Sequence, residues 1–165
     1  MELMSIGRWM GQSWLGEAAR DLFWLFPAAE TVHFFGLCLL MGAMLLIDLR
    51  MLGFARQLSI KKVQSFITLA VVGFTLNFLS GIVFLCAYPE NYWPSTAFRF
   101  KLLAICLGGA NALWFKCAEA PRIELMADDA DTDTRTKFVA ALSLLVWVTV
   151  IILGRLLPYV SKSTS

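Results

Sequence analysis

Val63-Gln64-Ser65-Phe66-Ile67-Thr68-Leu69-Ala70-Val71-Val72-Gly73-Phe74-Thr75-Leu76-Asn77-Phe78-Leu79-Ser80-Gly81-Ile82-Val83-Phe84-Leu85-Cys86-Ala87-Tyr88 is a run without a single charge, closed by Pro89. The hydrocarbon core of a bilayer takes about 20 residues of helix, so this stretch reads as a membrane span. Three further apolar runs read the same way once flanking Lys and Arg are allowed to reach the headgroups along their own aliphatic stems. They cover residues 32–47, extended back through Pro27 and forward through Phe54; residues 102–115, between Lys101 and Lys116; and residues 138–154, closing near Pro158. The expected fold is an all-α membrane protein. Four transmembrane helices, over 27–55, 63–88, 98–119 and 136–157, form a bundle within 27–160, and a tail follows at 161–165.

Composition agrees. Of 165 residues, 59% are hydrophobic and 16% charged, against about 45–50% and 25% in soluble domains, and mean hydropathy is +0.70. A disordered chain has the opposite balance, and so short a soluble chain could not hide this much apolar surface. A net charge of +2 gives no field to attract nucleic acid; the expected partner is the lipid bilayer. Cys38, Cys86, Cys106 and Cys117 form no C-x-x-C pair and lie in or beside apolar runs, so they read as packing residues.

Residues 1–26 differ from the rest. Trp9, Trp14, Leu15, Leu22, Phe23 and Trp24 are interleaved with Arg8, Glu17, Arg20 and Asp21. The order is not that of a cleavable signal peptide, and the segment reads as an amphipathic helix lying in the membrane interface. Orientation follows the basic residues. The first and third connections carry Arg50, Arg56, Lys61, Lys62, Lys116, Arg122, Arg135 and Lys137, and the opposite side carries Arg8, Arg20, Arg99, Lys101, Arg155 and Lys162. The side richer in Lys and Arg faces the cytoplasm. Both termini are therefore expected to be periplasmic, with Trp24, Tyr88, Tyr92, Trp93 and Tyr159 forming an aromatic belt there.

Two helices carry seams of small and amide residues: Gly73, Asn77, Ser80 and Gly81 on the second, and Ala104, Gly108, Asn111 and Ala112 on the third. Such residues let membrane helices approach closely and hydrogen-bond across the contact. Helix packing accounts for them; a polar ligand path at mid-membrane is the functional alternative.

The string Trp24-Leu25-Phe26-Pro27-Ala28-Ala29-Glu30-Thr31-Val32-His33-Phe34-Phe35-Gly36, leading into Asp48-Leu49-Arg50-Met51-Leu52-Gly53, resembles a domain-of-unknown-function family of small four-helix bacterial inner-membrane proteins. In that family the first helix reads W-x-Y/F-P-x-x-E-x-x-H-x-x-G and then D-L-R-x-L-G. Residues 75–87, 92–101, 109–112 and 142–155 add weaker likeness, so the resemblance spans nearly the whole chain. It implies a four-helix architecture in a bacterial inner membrane and supplies no activity. Lys116 stands where relatives often have histidine.

Glu30 and His33, at i and i+3, are the sharpest candidates. Arg155, near the same end of the fourth helix, is the expected third member, and ionisable groups at membrane depth are functional candidates by default. An interfacial hydrogen-bonded cap that only fixes helix packing explains the same residues. His33 is the single histidine and so the one imidazole available to a metal. Haem b in such bundles usually takes two histidines on facing helices, and one chain supplies only one. Lys116 cannot be the second ligand, because it lies about 20 Å deeper than His33 at 1.5 Å per residue. A five-coordinate haem on His33, a haem shared across a symmetric oligomer, or a quinone beside Glu30 and His33 stay open.

Asp48 lies five helical turns from Glu30 on the same stripe; it is expected to pair with a base at the cytoplasmic edge, such as Lys116. The aspartates at 128, 129, 131 and 133 begin like a calcium loop, but Ala140 stands at the twelfth position and no glycine at the sixth. A solvated turn capping the fourth helix fits better. No catalytic triad, phosphate loop or H-E-x-x-H occurs, so enzymatic activity is left undecided.

Three functions compete. The first is a membrane anchor or electron-transfer subunit for a periplasmic redox protein. The second is a non-enzymatic scaffold, as a homo-oligomer. The third is a small transporter or channel, which with four short helices would need oligomerisation to build a path.

Overall fold

The computed structural model describes residues 2–127 and 130–160. Its helices are α1 (Glu2–Gly11), α2 (Trp14–Asp21), α3 (Leu25–Met51), α4 (Ile60–Gln64), α5 (Phe66–Ala87), α6 (Pro89–Tyr92), α7 (Thr96–Trp114), α8 (Ala120–Glu124) and α9 (Thr134–Val160), with a π turn over Phe115–Glu119 between α7 and α8. The described residues contain no strand. Four helical stretches are long and apolar enough to cross a membrane: Leu25–Met51, Ile60–Ala87, Thr96–Glu124 and Thr134–Val160. The chain is a multi-pass, all-α membrane protein.

The helix ends have local causes. The first span stops at Met51, short of the expected residue 55, because Gly53 takes φ +90°. Phe54 N–H then reaches Leu49 C=O and Gly53 N–H reaches Arg50 C=O, the paired closure that satisfies the last carbonyls of a helix. Tyr88 ends α5 in a non-helical conformation, as a residue preceding proline is driven to do. The hydroxyls of Ser13, Ser59 and Ser95 accept the first free N–H groups of α2, α4 and α7. The expected third helix is split by the π turn. The fourth runs to Val160 through Pro158, which has no N–H to give the carbonyl four residues back in the final turn.

The bundle is built as two hairpins. α3 packs along α5 and α7 along α9, and α3 against α9 joins the pairs. The α3–α5 approach is set by Gly36 and Gly73: a Cβ on Gly73 would stand 2.5 Å from Leu40 N, and one on Gly36 would stand 2.9 Å from Gly73 O. Between the hairpins, Leu40, Ala43, Ala70, Ala104, Val146, Trp147 and Val150 form one core, and the Phe74 ring meets Trp147 edge-on at 6.2 Å. Trp147 also rests on Gly108. A second core joins Ile47, Met51, Ile60, Val63, Ile123 and Ala140 at the end that carries the first and third connections, hereafter the loop end. Only 17–33% of each span is buried by protein, and large residues such as Phe34, Phe35, Leu107 and Leu145 face outward. Lipid solvates those faces, so close packing and interhelical hydrogen bonds, rather than apolar burial, hold the helices together.

The N-terminal segment expected as one amphipathic helix forms two, α1 and α2, and both pack against α5. Arg20 donates to the carbonyls of Cys86 (3.4 Å), Ala87 (3.1 Å) and Gly11 (2.7 Å). A cation thus occupies the negative C-terminal end of α5 and ties the N-terminal helices to it. Trp9, Trp14 and Phe23 point away from the bundle. The tail at 161–165 and Asp128 and Asp129 lie outside the described residues.

Candidate functional site

At the end of the bundle carrying the chain termini, the terminal end, α3 presents His33 to α5. His33 Nδ1 lies 2.9 Å from Ser80 Oγ, and its ring tilts against Phe84 at 5.1 Å between centroids. Asn77, one turn along α5, donates to His33 C=O at 2.7 Å. Ser80 is buried, and its hydroxyl is directed at Leu76 C=O (2.7 Å) and Asn77 C=O (3.1 Å) of its own helix. A hydroxyl has one hydrogen. With that hydrogen given to the helix carbonyls, Ser80 Oγ receives the Nδ1–H of His33. In the neutral ring the lone pair then sits on Nε2, the same division of labour that second-shell oxygens impose on working histidines.

The expected three-residue cluster is not assembled. His33 takes its partners from α5, and neither Glu30 nor Arg155 bonds to it. Glu30 is exposed and makes no hydrogen bond or ion pair among the described residues; its carboxylate acts electrostatically on Tyr92. Burial first, and Glu30 second, push the Tyr92 phenol above its ordinary range. Arg155 stacks over Tyr159 at 6.0 Å. The physical reason is rotation: each residue turns a helix by about 100°. Gly154 faces the neighbouring α7, so Arg155 points elsewhere, and Glu30 sits about 60° around α3 from His33.

The cation that does approach is Lys101. It is half-buried on α7, its Nζ lies 3.3 Å from where a Gly154 Cβ would stand, and its charge acts on His33. It forms no ion pair or hydrogen bond among the described residues. In the linear sequence Lys101 reads only as a helix flank. The signal for its role is Gly154, a small residue opposite a long cation, and it becomes readable only once α7 and α9 are known to be neighbours.

The loop end is organised differently. Glu119, at the end of the π turn, is fully buried and receives Arg135 (2.9 Å), Arg122 (3.6 Å) and the Thr136 hydroxyl (2.7 Å). Arg50 is fully buried and donates to Leu58 C=O (2.6 Å) and Ala130 C=O (3.2 Å). The Thr132 hydroxyl donates to Met51 C=O. Asp131 joins Arg56 and Lys137, each at 2.8 Å, and Asp133 joins Arg122 at 2.8 Å. Asp133 also caps α9 as expected, accepting from Thr136 N–H at 2.9 Å and sharing with Glu119 the single hydrogen of the Thr136 hydroxyl, 2.8 Å away. Those bonds from Thr136, followed by Arg122, hold the Asp133 carboxyl down at about 2. Asp48 does not pair with Lys116, which is exposed. Instead it is buried beside Ser143, with Oδ2 unbonded.

Among the described residues no three His, Cys, Asp or Glu side chains gather to hold a metal ion; His33 is a lone imidazole. No protein-family model, curated protein or solved structure matches this chain.

Proposed function

We propose that the chain is the membrane subunit of a redox system in a bacterial inner membrane. It has both termini in the periplasm, binds a quinone headgroup beside His33, and hands electrons to a periplasmic redox protein docked on its aromatic terminal end. The carrying observation is the His33 Nδ1–Ser80 Oγ contact at 2.9 Å, read with Nδ1 as donor because Ser80 spends its one hydrogen on its own helix. It leaves Nε2 as an acceptor at shallow membrane depth, with a cation, Lys101, close by. Oxidation of a quinol releases two protons and two electrons. Nε2 would take the proton of one hydroxyl, the second proton would leave to water at the periplasmic face, and both electrons would pass to the docked protein. Lys101 would stabilise the negative charge developing on the ring oxygen.

The aromatic residues exposed at this end, Trp9, Trp14 and Tyr159 among them, suit an interface that is also a partner surface. The orientation rests on the eight basic residues of the loop end against six opposite. We propose the same family membership that the first-helix motif suggested.

Purified full-length protein should carry extractable quinone in roughly stoichiometric amount, and His33→Ala should lose it while helix content is kept. A Soret band in the visible spectrum would point instead to haem on His33. Neither chromophore nor quinone would leave the scaffold reading, which the His33–Asn77–Ser80 link between α3 and α5 also supports. Labelling of a Ser5→Cys variant in intact spheroplasts checks orientation; labelling only after permeabilisation would reverse it.

A further inference from the structure

α1 and residues 89–94 form a half-open cleft of about 180 Å³ lined by Gly7, Arg8, Pro89, Glu90, Trp93 and Pro94. At about 30 Å³ per water that is room for about six waters, enough for a polar headgroup. Arg8 and Glu90 are exposed, carry opposite charges and line the same space. Even so, neither makes an ion pair or side-chain hydrogen bond with the other, or with any other described residue.

The wall between them is pre-set. A Cβ on Gly7 would stand 2.6 Å from Trp93 Cδ1, so only glycine lets the indole lie flat against α1. The Trp93 ring is held edge-on by Phe98 at 6.0 Å. The cleft sits where α5 has just ended and α7 is about to begin, beside an amphipathic helix, which is headgroup depth for a chain that spans a bilayer.

We propose that this cleft binds the headgroup of a zwitterionic phospholipid of the ethanolamine class. The Arg8 guanidinium takes the phosphate, for which its planar fork is suited. The primary ammonium lies between the Glu90 carboxylate and the Trp93 ring, pairing with the first and making a cation–π contact with the second. Glu90 accepts N–H bonds that a quaternary amine cannot donate, so the site selects ethanolamine over choline. An anionic glycerol headgroup brings the same phosphate to Arg8 but no cation for Glu90. The site does not rest on the redox reading above.

The test is native mass spectrometry of the full chain released from micelles holding equal amounts of phosphatidylethanolamine, phosphatidylcholine and phosphatidylglycerol. The ethanolamine lipid should be retained over each of the others by about tenfold, corresponding to about 1.4 kcal/mol. Glu90→Gln should bring that preference over phosphatidylglycerol close to one, Glu90→Lys should reverse it, and Arg8→Ala should lower retention of all three. Both side chains are exposed, so far-ultraviolet circular dichroism should report unchanged helix content. Equal retention of the three lipids by the unaltered chain would overturn the proposal. So would preferential retention of phosphatidylglycerol, or an ethanolamine preference that survives both Glu90 substitutions.

Discussion

The two ends of the bundle treat charge in opposite ways. At the loop end three acids of the third connection are engaged: Glu119 by two arginines and a threonine, Asp131 by Arg56 and Lys137, Asp133 by Arg122 and the start of α9, while Glu124 is exposed. At the terminal end Arg8, Glu30, Glu90 and Lys101 stand without ion pairs among the described residues. Satisfied charges fix a shape and have little left with which to bind anything. Unsatisfied charges beside a half-buried histidine and a cleft hold recognition capacity in reserve. On our proposal the loop end is structural and the terminal end functional, and substitution can break that division.

The largest effect should come from Glu119→Ala. It removes the buried anion on which Arg122, Arg135 and Thr136 converge, and we expect a loss of about 3 kcal/mol, read as a lowered thermal midpoint in detergent. A change below about 0.5 kcal/mol would mean the loop-end network is decoration. Next is Gly73→Val, in neither polar cluster. Its added carbons meet the Leu40 backbone and should cost about 2 kcal/mol by forcing α3 from α5, with quinone retention falling in step as His33 is pulled from Ser80.

His33→Ala sharpens the contrast most directly. It should cost only about 1 kcal/mol, the net worth of one hydrogen bond, while abolishing quinone retention. Stability lost with binding intact would reverse the roles of the two ends. The smallest effect is a pH dependence at the loop end. Because the Asp133 carboxyl is depressed from 3.8 to about 2, its stabilising contribution is fully present above pH 4 and is lost as pH falls through 2. A thermal-midpoint titration from pH 6 to 2 should show that loss in the native chain and not in Asp133→Asn.

The four spans were legible because twenty or so uncharged residues have one economical explanation in a membrane protein. The seams were legible too: Gly73, Asn77 and Ser80 do face α3, and Gly108 and Asn111 face α9, because helical spacing alone places them on one side. Gly81 shares that spacing yet meets nothing within 4 Å, since a seam says which face is small and not how far the neighbour extends. The partners of His33 and Glu119 were not legible. Ser80 lies 47 residues from His33 and Thr136 lies 17 from Glu119, and no periodicity joins them. Depth alone suggested Arg155. Azimuth decided against it, and azimuth depends on how α9 is rotated against α7, which the linear pattern does not carry.

The π turn at Phe115–Glu119 sets the direction in which Glu119 points. Such a turn is an α-helix holding one residue more than its pitch allows. Deleting one residue from it would restore an unbroken helix and swing the downstream residues by about 100°, carrying the carboxylate that anchors Arg135 and Thr136 out of their reach. The loop-end lock therefore depends on that one extra residue. Chains of this architecture without that extra residue should close their third connection by other means.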